Sequence, residues 1–295
     1  MKTNVIYKGE AKKVLSSFED ESVNMAVTSP PYWGLRDYGV EGQLGLEDTP
    51  EQYVERLVNI FKEVNRVLRG DGTLWLNLGD SYASGGTMGA SLKQKDLVGI
   101  PWRVAFALQE DGWYLRNDII WHKPNPMPES VKDRCTTSHE HIFLLAKSKK
   151  YYFNQENIKE PMVGQPHKPG NKKLDISRND HNQMQKVWGE NGMANKRSVW
   201  KVTTKPFSEA HFAVYPPDLI RPCIKAGCPD DGIVLDPFMG AGTSALVALQ
   251  EGKQFVGVEL SQDYIDIAHK RIGEFDKSYY DELPEDKKPE QDQLF

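Results

Sequence analysis

The chain has 295 residues, a mass of 33.5 kDa and a net charge of −5, with 39% hydrophobic and 27% charged residues. That is enough for one large domain, or one domain with an insertion, around a substantial core, in the composition of an ordinary globular protein. No apolar run approaches the roughly eighteen residues of a membrane span, the start Met1-Lys2-Thr3-Asn4 does not open a signal peptide, and three scattered cysteines (Cys135, Cys223, Cys228) make neither a disulfide framework nor a four-ligand metal site. For Cys223 and Cys228, buried thiols in a reducing cytosol are expected.

In chain order, an apolar run over Val23–Val27 predicts the first strand, and it runs into Thr28-Ser29 and then Pro30-Pro31. Thr49 reads as an N-cap with Pro50 at the first helical position, and Val54, Leu57, Val58, Phe61, Val64 and Leu68 keep helical spacing up to Gly70, which closes the helix. Strands are predicted over Thr73–Leu78, Leu115–Trp121 and His141–Lys147, with a helix over Val98–Gln109. Later come a helix over Pro217–Ala226, a strand over Ile233–Leu235, a helix over Thr243–Gln250, a strand over Phe255–Leu260 and a helix over Gln262–Ile272. The alternation predicts an α/β fold with a doubly wound, mostly parallel sheet.

Between 150 and 205 the periodicity fails. The stretch is rich in Asn, Gln, Lys and Gly and is too long for an ordinary connection, so it is read as an inserted, loop-rich region. From Lys147 to Lys205 there are thirteen Lys and Arg against five Asp and Glu, a local balance of +8, whereas Glu274 to the end carries eight acids and three lysines, −5. A basic middle and an acidic, mobile tail suggest that one part of the surface meets a polyanion. The expected division is therefore 1–149 and 206–273 as two parts of one domain, 150–205 as the insert and 274–295 as the tail.

Two short stretches carry chemistry. In "MAVTSPPYWGLRDYG" (25–39) prolines end a hydrogen-bond ladder and leave bare carbonyls beside a hydroxyl and aromatic rings, which suits a flat, polar ligand. The second, "DGIVLDPFMGAGTSALVALQEGKQFVGVELSQDY" (231–264), reads as strand, glycine turn, helix and a strand ending in an acid. Gly240 and Gly242 allow close approach of a ligand, the helix starting near Thr243 directs free N–H groups into the site, and Glu259 is placed to accept from ribose hydroxyls. A dinucleotide fold is disfavoured because Ala245 stands where a third glycine would, and Asp236 would repel a pyrophosphate. An acid there suits a cofactor carrying positive charge.

Together these stretches resemble the amino-methylating DNA methyltransferases, whose catalytic motif is (D/N/S)-P-P-(Y/F), here Ser29-Pro30-Pro31-Tyr32. Their cofactor motif is similar to Asp236-Pro237-Phe238-Met239-Gly240-Ala241-Gly242-Thr243. The order, catalytic motif first and cofactor motif last, looks like the family's beta arrangement. The likeness extends over most of 5–273 and includes "GDSYA" (79–83), "NDIIWHKPNPMPES" (117–130), "SHEHIFLLAKS" (138–148) and "HFAVYPPDLI" (211–220).

The resemblance implies an S-adenosyl-L-methionine-dependent enzyme acting on double-stranded DNA in the cytoplasm, at the nucleoid, with a companion restriction endonuclease and as a monomer or homodimer. A flipped base would be methylated directly, its amino group held by the Ser29 hydroxyl and the Pro30 carbonyl, with Tyr32, and Trp33 beside it, stacking on the ring. No metal is required. Serine in the first motif position favours N4 of cytosine, with N6 of adenine as the alternative. In the insert, lysines would neutralise phosphates, and Asn182, Gln183 and Gln185 would read base edges.

Other residues keep two readings. Asp80 is either a base or cofactor contact or a structural cap, and Arg36 either a phosphate contact or a loop anchor. Trp121 and His122 line the pocket or pack. His139 and His141 share a strand face without a third ligand at metal spacing, so they are read as strand histidines. The rival classes are a nicotinamide-dependent oxidoreductase, a non-catalytic DNA-binding regulator, and a methyltransferase acting on RNA or on a glutamine side chain.

Overall fold

The computed structural model describes residues 1–35, 37, 39–40, 42–83, 92–162, 192–204 and 215–279. The elements in chain order are β1 (Val5–Lys8), α1 (Ala11–Leu15), β2 (Val23–Thr28), α2 (Pro50–Val67), β3 (Leu68–Leu78), α3 (Ile100–Glu110), β4 (Tyr114–His122) and β5 (His139–Ala146). They are followed by β6 (Glu160–Pro161), β7 (Met193–Ala194), β8 (Val199–Lys201), α4 (Pro217–Gly227), β9 (Ile233–Asp236), α5 (Thr243–Gln250), β10 (Gln254–Glu259) and α6 (Gln262–Phe275).

One eight-stranded sheet has the order β1-β10-β9-β2-β3-β5-β4-β8, and its neighbours run parallel except where β5 meets β3 and β4. From β2 the chain crosses to β3 on one side, while β9 leads to β10 on the other. The parallel pair β2 and β9, in register at Met25 with Val234 and Ala26 with Leu235, therefore lies at the point where the winding reverses. In doubly wound sheets a crevice opens there, beyond the carboxyl ends of the strands.

Period-two alternation in the buried strands feeds two helical layers. Ala26, Leu74, Leu76 and Phe143 face α1, α2 and α3, meeting Leu15, Leu57, Phe61, Val64 and Leu108. Met25, Val27, Trp75 and Val234 face α4, α5 and α6, meeting Ile220, Ile224, Val247 and Ile272. Each Val, Leu, Ile, Phe or Met side chain among these, removed from water, contributes about 1.5–3 kcal/mol. Among the described residues no helix is long and apolar enough to cross a membrane. Cys223 and Cys228 are buried free thiols, and burial pushes the Cys228 thiol up to about 12.

The predicted strands and long helices are present, with ends shifted by a few residues. The first long helix starts as expected: Thr49 and Gln52 form a capping box, with Pro50 in the first turn. It does not run on to Gly70. Leu68 leaves the helix in extended conformation (φ −67°, ψ 138°) and begins β3 directly, so Gly70 lies within a strand. The short elements β1, α1, β6, β7 and β8 were not anticipated. Strand β8, drawn from the aperiodic 150–205 stretch, pairs with β4 at the sheet edge and buries Trp200. The start of that stretch is also tied to the main body, with Tyr152 donating to the Asp71 carbonyl and Asn154 to that of Ala226, both at 2.8 Å. Its middle (163–191), including Asn182, Gln183 and Gln185, lies outside the described residues, as does 280–295 of the tail.

Candidate active site

Two motifs more than 200 residues apart meet at the reversal point. Thr28, the last residue of β2, donates its hydroxyl hydrogen bond to Asp236 Oδ1 at 2.5 Å, at the end of β9. Ser29 follows Thr28 immediately, so the proline corner and the glycine turn lie side by side at the carboxyl ends of β2 and β9.

The corner is fixed from below and from both sides. Tyr53 of α2, fully buried, donates to the Pro31 carbonyl at 2.8 Å. Among the described residues no donor meets the Pro30 carbonyl, which remains a free acceptor. The Ser29 hydroxyl donates to Tyr32 Oη at 3.2 Å, and Tyr32 in turn donates to Glu140 Oε2 at 2.7 Å. Asn77 supports the same carboxylate through Nδ2 at 3.1 Å while also holding the His141 carbonyl at 3.1 Å, and Lys123 forms an ion pair with Glu140 Oε1. Burial, and then the charge of Glu140, holds the Tyr32 phenol well above the usual tyrosine range, so it keeps its proton. The ring lies against the Gly79 backbone, where an added Cβ would come within 2.5 Å of Tyr32 Cε2.

The glycine turn is built around two acids. Asp236, 1% exposed, accepts from Thr28 and from the Phe238 N–H (3.0 Å) on Oδ1, and from Ser244 (2.5 Å) and Tyr215 (3.2 Å) on Oδ2. Burial raises its pKa, and the hydrogen bonds pull it back. No described Lys or Arg pairs with it, which leaves a buried carboxylate without a countercharge. Glu259 accepts from the backbone N–H groups of Gly240, Leu260 and Ser261, each at 2.8 Å, and burial raises its pKa too.

The two glycines do different work. Gly240 (φ +52°) would place a Cβ in open space, so the turn's surface is bare at that point. Gly242 (φ +77°) lies against α6, where a Cβ would strike that of Ala268 at 2.8 Å. Pro237 is buried, Phe238 packs on the core from one side, and Thr243, 2% exposed, accepts from Arg271 at 3.1 Å. Thr243 and Gly242 thus hold α5 to α6, and the surface open to a ligand is that of Gly240 with the two acids.

A family model of DNA methylases, N6_N4_Mtase, matches residues 23–270, a span that contains both motifs. The chain belongs to this family of DNA methylases. Among its relatives, the Type II methyltransferase M.Cfr9I of Citrobacter freundii is 48% identical over 286 residues, covering 90% of this chain and 87% of its own. Two solved structures share the fold. PvuII DNA methyltransferase (cytosine-N4-specific) aligns with a TM-score of 0.66 and 18% identity over 95% of this chain and 93% of its own. The M1.HpyAVI–SAM complex aligns with a TM-score of 0.56 and 20% identity over 90% and 98%.

In this methylase one expected position, Trp33, turns out otherwise, and positions with two readings take one of them. Trp33 does not offer a ring to a base: it is 3% exposed in the core under α2, with Nε1 donating to the Glu47 carbonyl at 2.8 Å. Asp80 is engaged as a cap, its Oδ1 accepting from Gly99 (2.9 Å) and Ile100 (3.1 Å) at the start of α3. Arg36 lies outside the described residues. His141 pairs with Asp118 at 2.9 Å, and no group of metal-ligating side chains occurs among the described residues. Trp121 packs, donating to the Val202 carbonyl at 2.9 Å.

Sequence reasoning missed Thr28, Asn77, Lys123, Glu140, Tyr215 and Ser244. Strand alternation held the signal for one of them: if His139 and His141 face one way, Glu140 faces the other.

Proposed function

We propose that this methylase transfers the methyl group of S-adenosyl-L-methionine to the N4 amino group of a cytosine flipped out of duplex DNA. The observation that carries this reading is the Thr28–Asp236 contact, which sets the Ser29-Pro30-Pro31-Tyr32 corner beside the glycine turn. The cofactor fits the cradle. Asp236 is a buried carboxylate with no described Lys or Arg paired to it, which suits a sulfonium and ammonium nearby, and the bare surface at Gly240 leaves room for close approach. Glu259, its carboxylate aimed by three backbone N–H groups, would accept from the ribose hydroxyls. The fold shared with the M1.HpyAVI–SAM complex supports the same choice.

When bound, the cofactor supplies an electrophilic methyl group. The protein has to make a poor nucleophile reactive, because the amino nitrogen's lone pair is delocalised into the base. Ser29 spends its hydrogen on Tyr32, so its oxygen is free to accept one amino N–H. The Pro30 carbonyl accepts the other. Held at both hydrogens, the nitrogen becomes pyramidal and its lone pair points towards the methyl group. The part-exposed Tyr32 ring, backed by Gly79, provides the stacking surface without help from Trp33.

Serine in the first motif position supports cytosine over adenine, as does the fold shared with a cytosine-N4-specific enzyme. Target recognition is assigned to the basic 150–205 stretch between the two parts of the catalytic domain, and the Type II relatives support a companion endonuclease. The test is mass spectrometry of nucleosides from duplex DNA incubated with the protein and cofactor. N4-methylcytosine is expected, absent with Ser29→Ala although cofactor binding is retained. N6-methyladenine would move the substrate to the alternative base, and 5-methylcytosine would refute direct transfer to an amino group.

A further inference from the structure

An amine that takes on a methyl group must lose a proton. A side-chain chain runs from the reacting corner into the sheet: Ser29 Oγ to Tyr32 Oη at 3.2 Å, then Tyr32 Oη to Glu140 Oε2 at 2.7 Å. Ser29 donates to Tyr32, and Tyr32 donates to Glu140, with Asn77 Oδ1 as a second acceptor at 3.1 Å. Glu140 lies on β5 with its side chain 15% exposed, flanked by Asn77 from β3 and by Lys123 just past β4. Asn77 spends its amide hydrogens on Glu140 and on the His141 carbonyl, so its oxygen is turned towards Tyr32 at 3.1 Å and cannot supply the phenol with a proton. The Lys123 ammonium also lies 4.4 Å from the centre of the Trp121 ring, which fixes the ion pair in place. Tyr32, kept protonated by its burial, is suited to pass a proton along rather than to hold a charge.

We propose that Glu140, acting through Tyr32, keeps Ser29 oriented as an acceptor and receives the proton that the amine gives up; this rests on the amino-methylation reading above. The nitrogen lone pair forms the new N–C bond as the methyl–sulfur bond breaks, its electron pair staying on sulfur. The positively charged nitrogen then passes one hydrogen to Ser29 Oγ, whose own proton moves to Tyr32 Oη, whose proton moves to Glu140. The product amine is neutral, Ser29 and Tyr32 are restored, and Glu140 ends as a carboxylic acid that returns its proton to water. A methylated exocyclic ammonium is a far stronger acid than a carboxyl group, because losing the proton restores conjugation with the ring. A carboxylate already holding three donors is therefore basic enough. Glu140 is a positioning and proton-accepting residue that does not touch the base.

The test is single-turnover methylation of duplex DNA by the full chain, with cofactor affinity measured in parallel. Glu140→Gln retains an oxygen for Tyr32 but removes the charge, and Tyr32→Phe retains the ring but breaks the chain. Each should lower the methyl-transfer rate on the order of a hundredfold, the scale of a positioned proton acceptor, with cofactor affinity within about twofold of wild type. The double variant should be no slower than the worse single, since both remove one relay, and Glu140→Asp should recover part of the loss. Losses that multiply in the double variant would overturn the relay, as would a Tyr32→Phe protein at full rate, which decides the matter even if a Glu140 variant fails to fold. If wild-type protein methylates no amino group on DNA, the functional reading itself fails; if it does and these variants keep pace, only the relay fails.

Discussion

The proline corner and the glycine turn face each other across one crevice, yet they are assembled in opposite ways. Asp236, Phe238, Gly240, Ser244 and Glu259 lie within 24 residues of chain, and the bonds from Phe238 and Ser244 to Asp236 and from Gly240 to Glu259 stay inside that span. The corner takes its support from α2 (Tyr53), β3 (Asn77), β5 (Glu140) and the residue after β4 (Lys123). On the proposed function the turn binds the cofactor, and the corner, tied into several elements, has the stiffness that holding an amine in one geometry requires. The Thr28–Asp236 bond between them ties the spacing of corner and turn to the register of two adjacent strands.

Substitutions separate the two regions. The largest effect is expected at the junction: Asp236→Asn removes the buried charge, and cofactor affinity should fall on the order of a hundredfold by isothermal calorimetry. Burial has raised the Asp236 pKa, so its ionised form is disfavoured in the folded state. Its cost to stability is therefore present at neutral pH and relieved as pH falls through the folded-state value towards the ordinary carboxylate range. In urea unfolding without cofactor, the stability of Asp236→Asn relative to wild type should be most favourable near pH 7 and decline as the pH drops through that window. A smaller effect is expected at the corner. Gly79→Ala would press a methyl group against Tyr32, and the methyl-transfer rate should fall roughly tenfold with cofactor affinity unchanged. The smallest effect lies outside both regions: Thr49→Ala should cost about 1 kcal/mol in thermal or urea unfolding and leave the rate alone.

The same contrast explains what the sequence revealed. The glycine turn was legible because strand, turn, helix and acid-terminated strand follow one another, and each residue type answers a local need. The corner was legible only as far as its own four residues. Tyr32 was expected to lie open for stacking, and its hydroxyl's burial against Glu140 depends on β5 running antiparallel beside β3, a pairing that no local pattern specifies. Trp33 looked exposed because it follows two prolines, but the turn swings it under α2 into the core. Strand β8 went unseen for a related reason: three residues in a polar stretch give no period, and its place at the sheet edge is fixed by β4. Gly70 misled because the helix end is set by the start of β3 rather than by a glycine cap.

The most direct measurement is a crystal structure of the protein with S-adenosyl-L-methionine. The account predicts the sulfonium methyl group in the crevice between the ends of β2 and β9, facing Ser29 Oγ and the Pro30 carbonyl, with the ribose on Glu259. A cofactor bound anywhere that turns its methyl group away from Ser29 would contradict it.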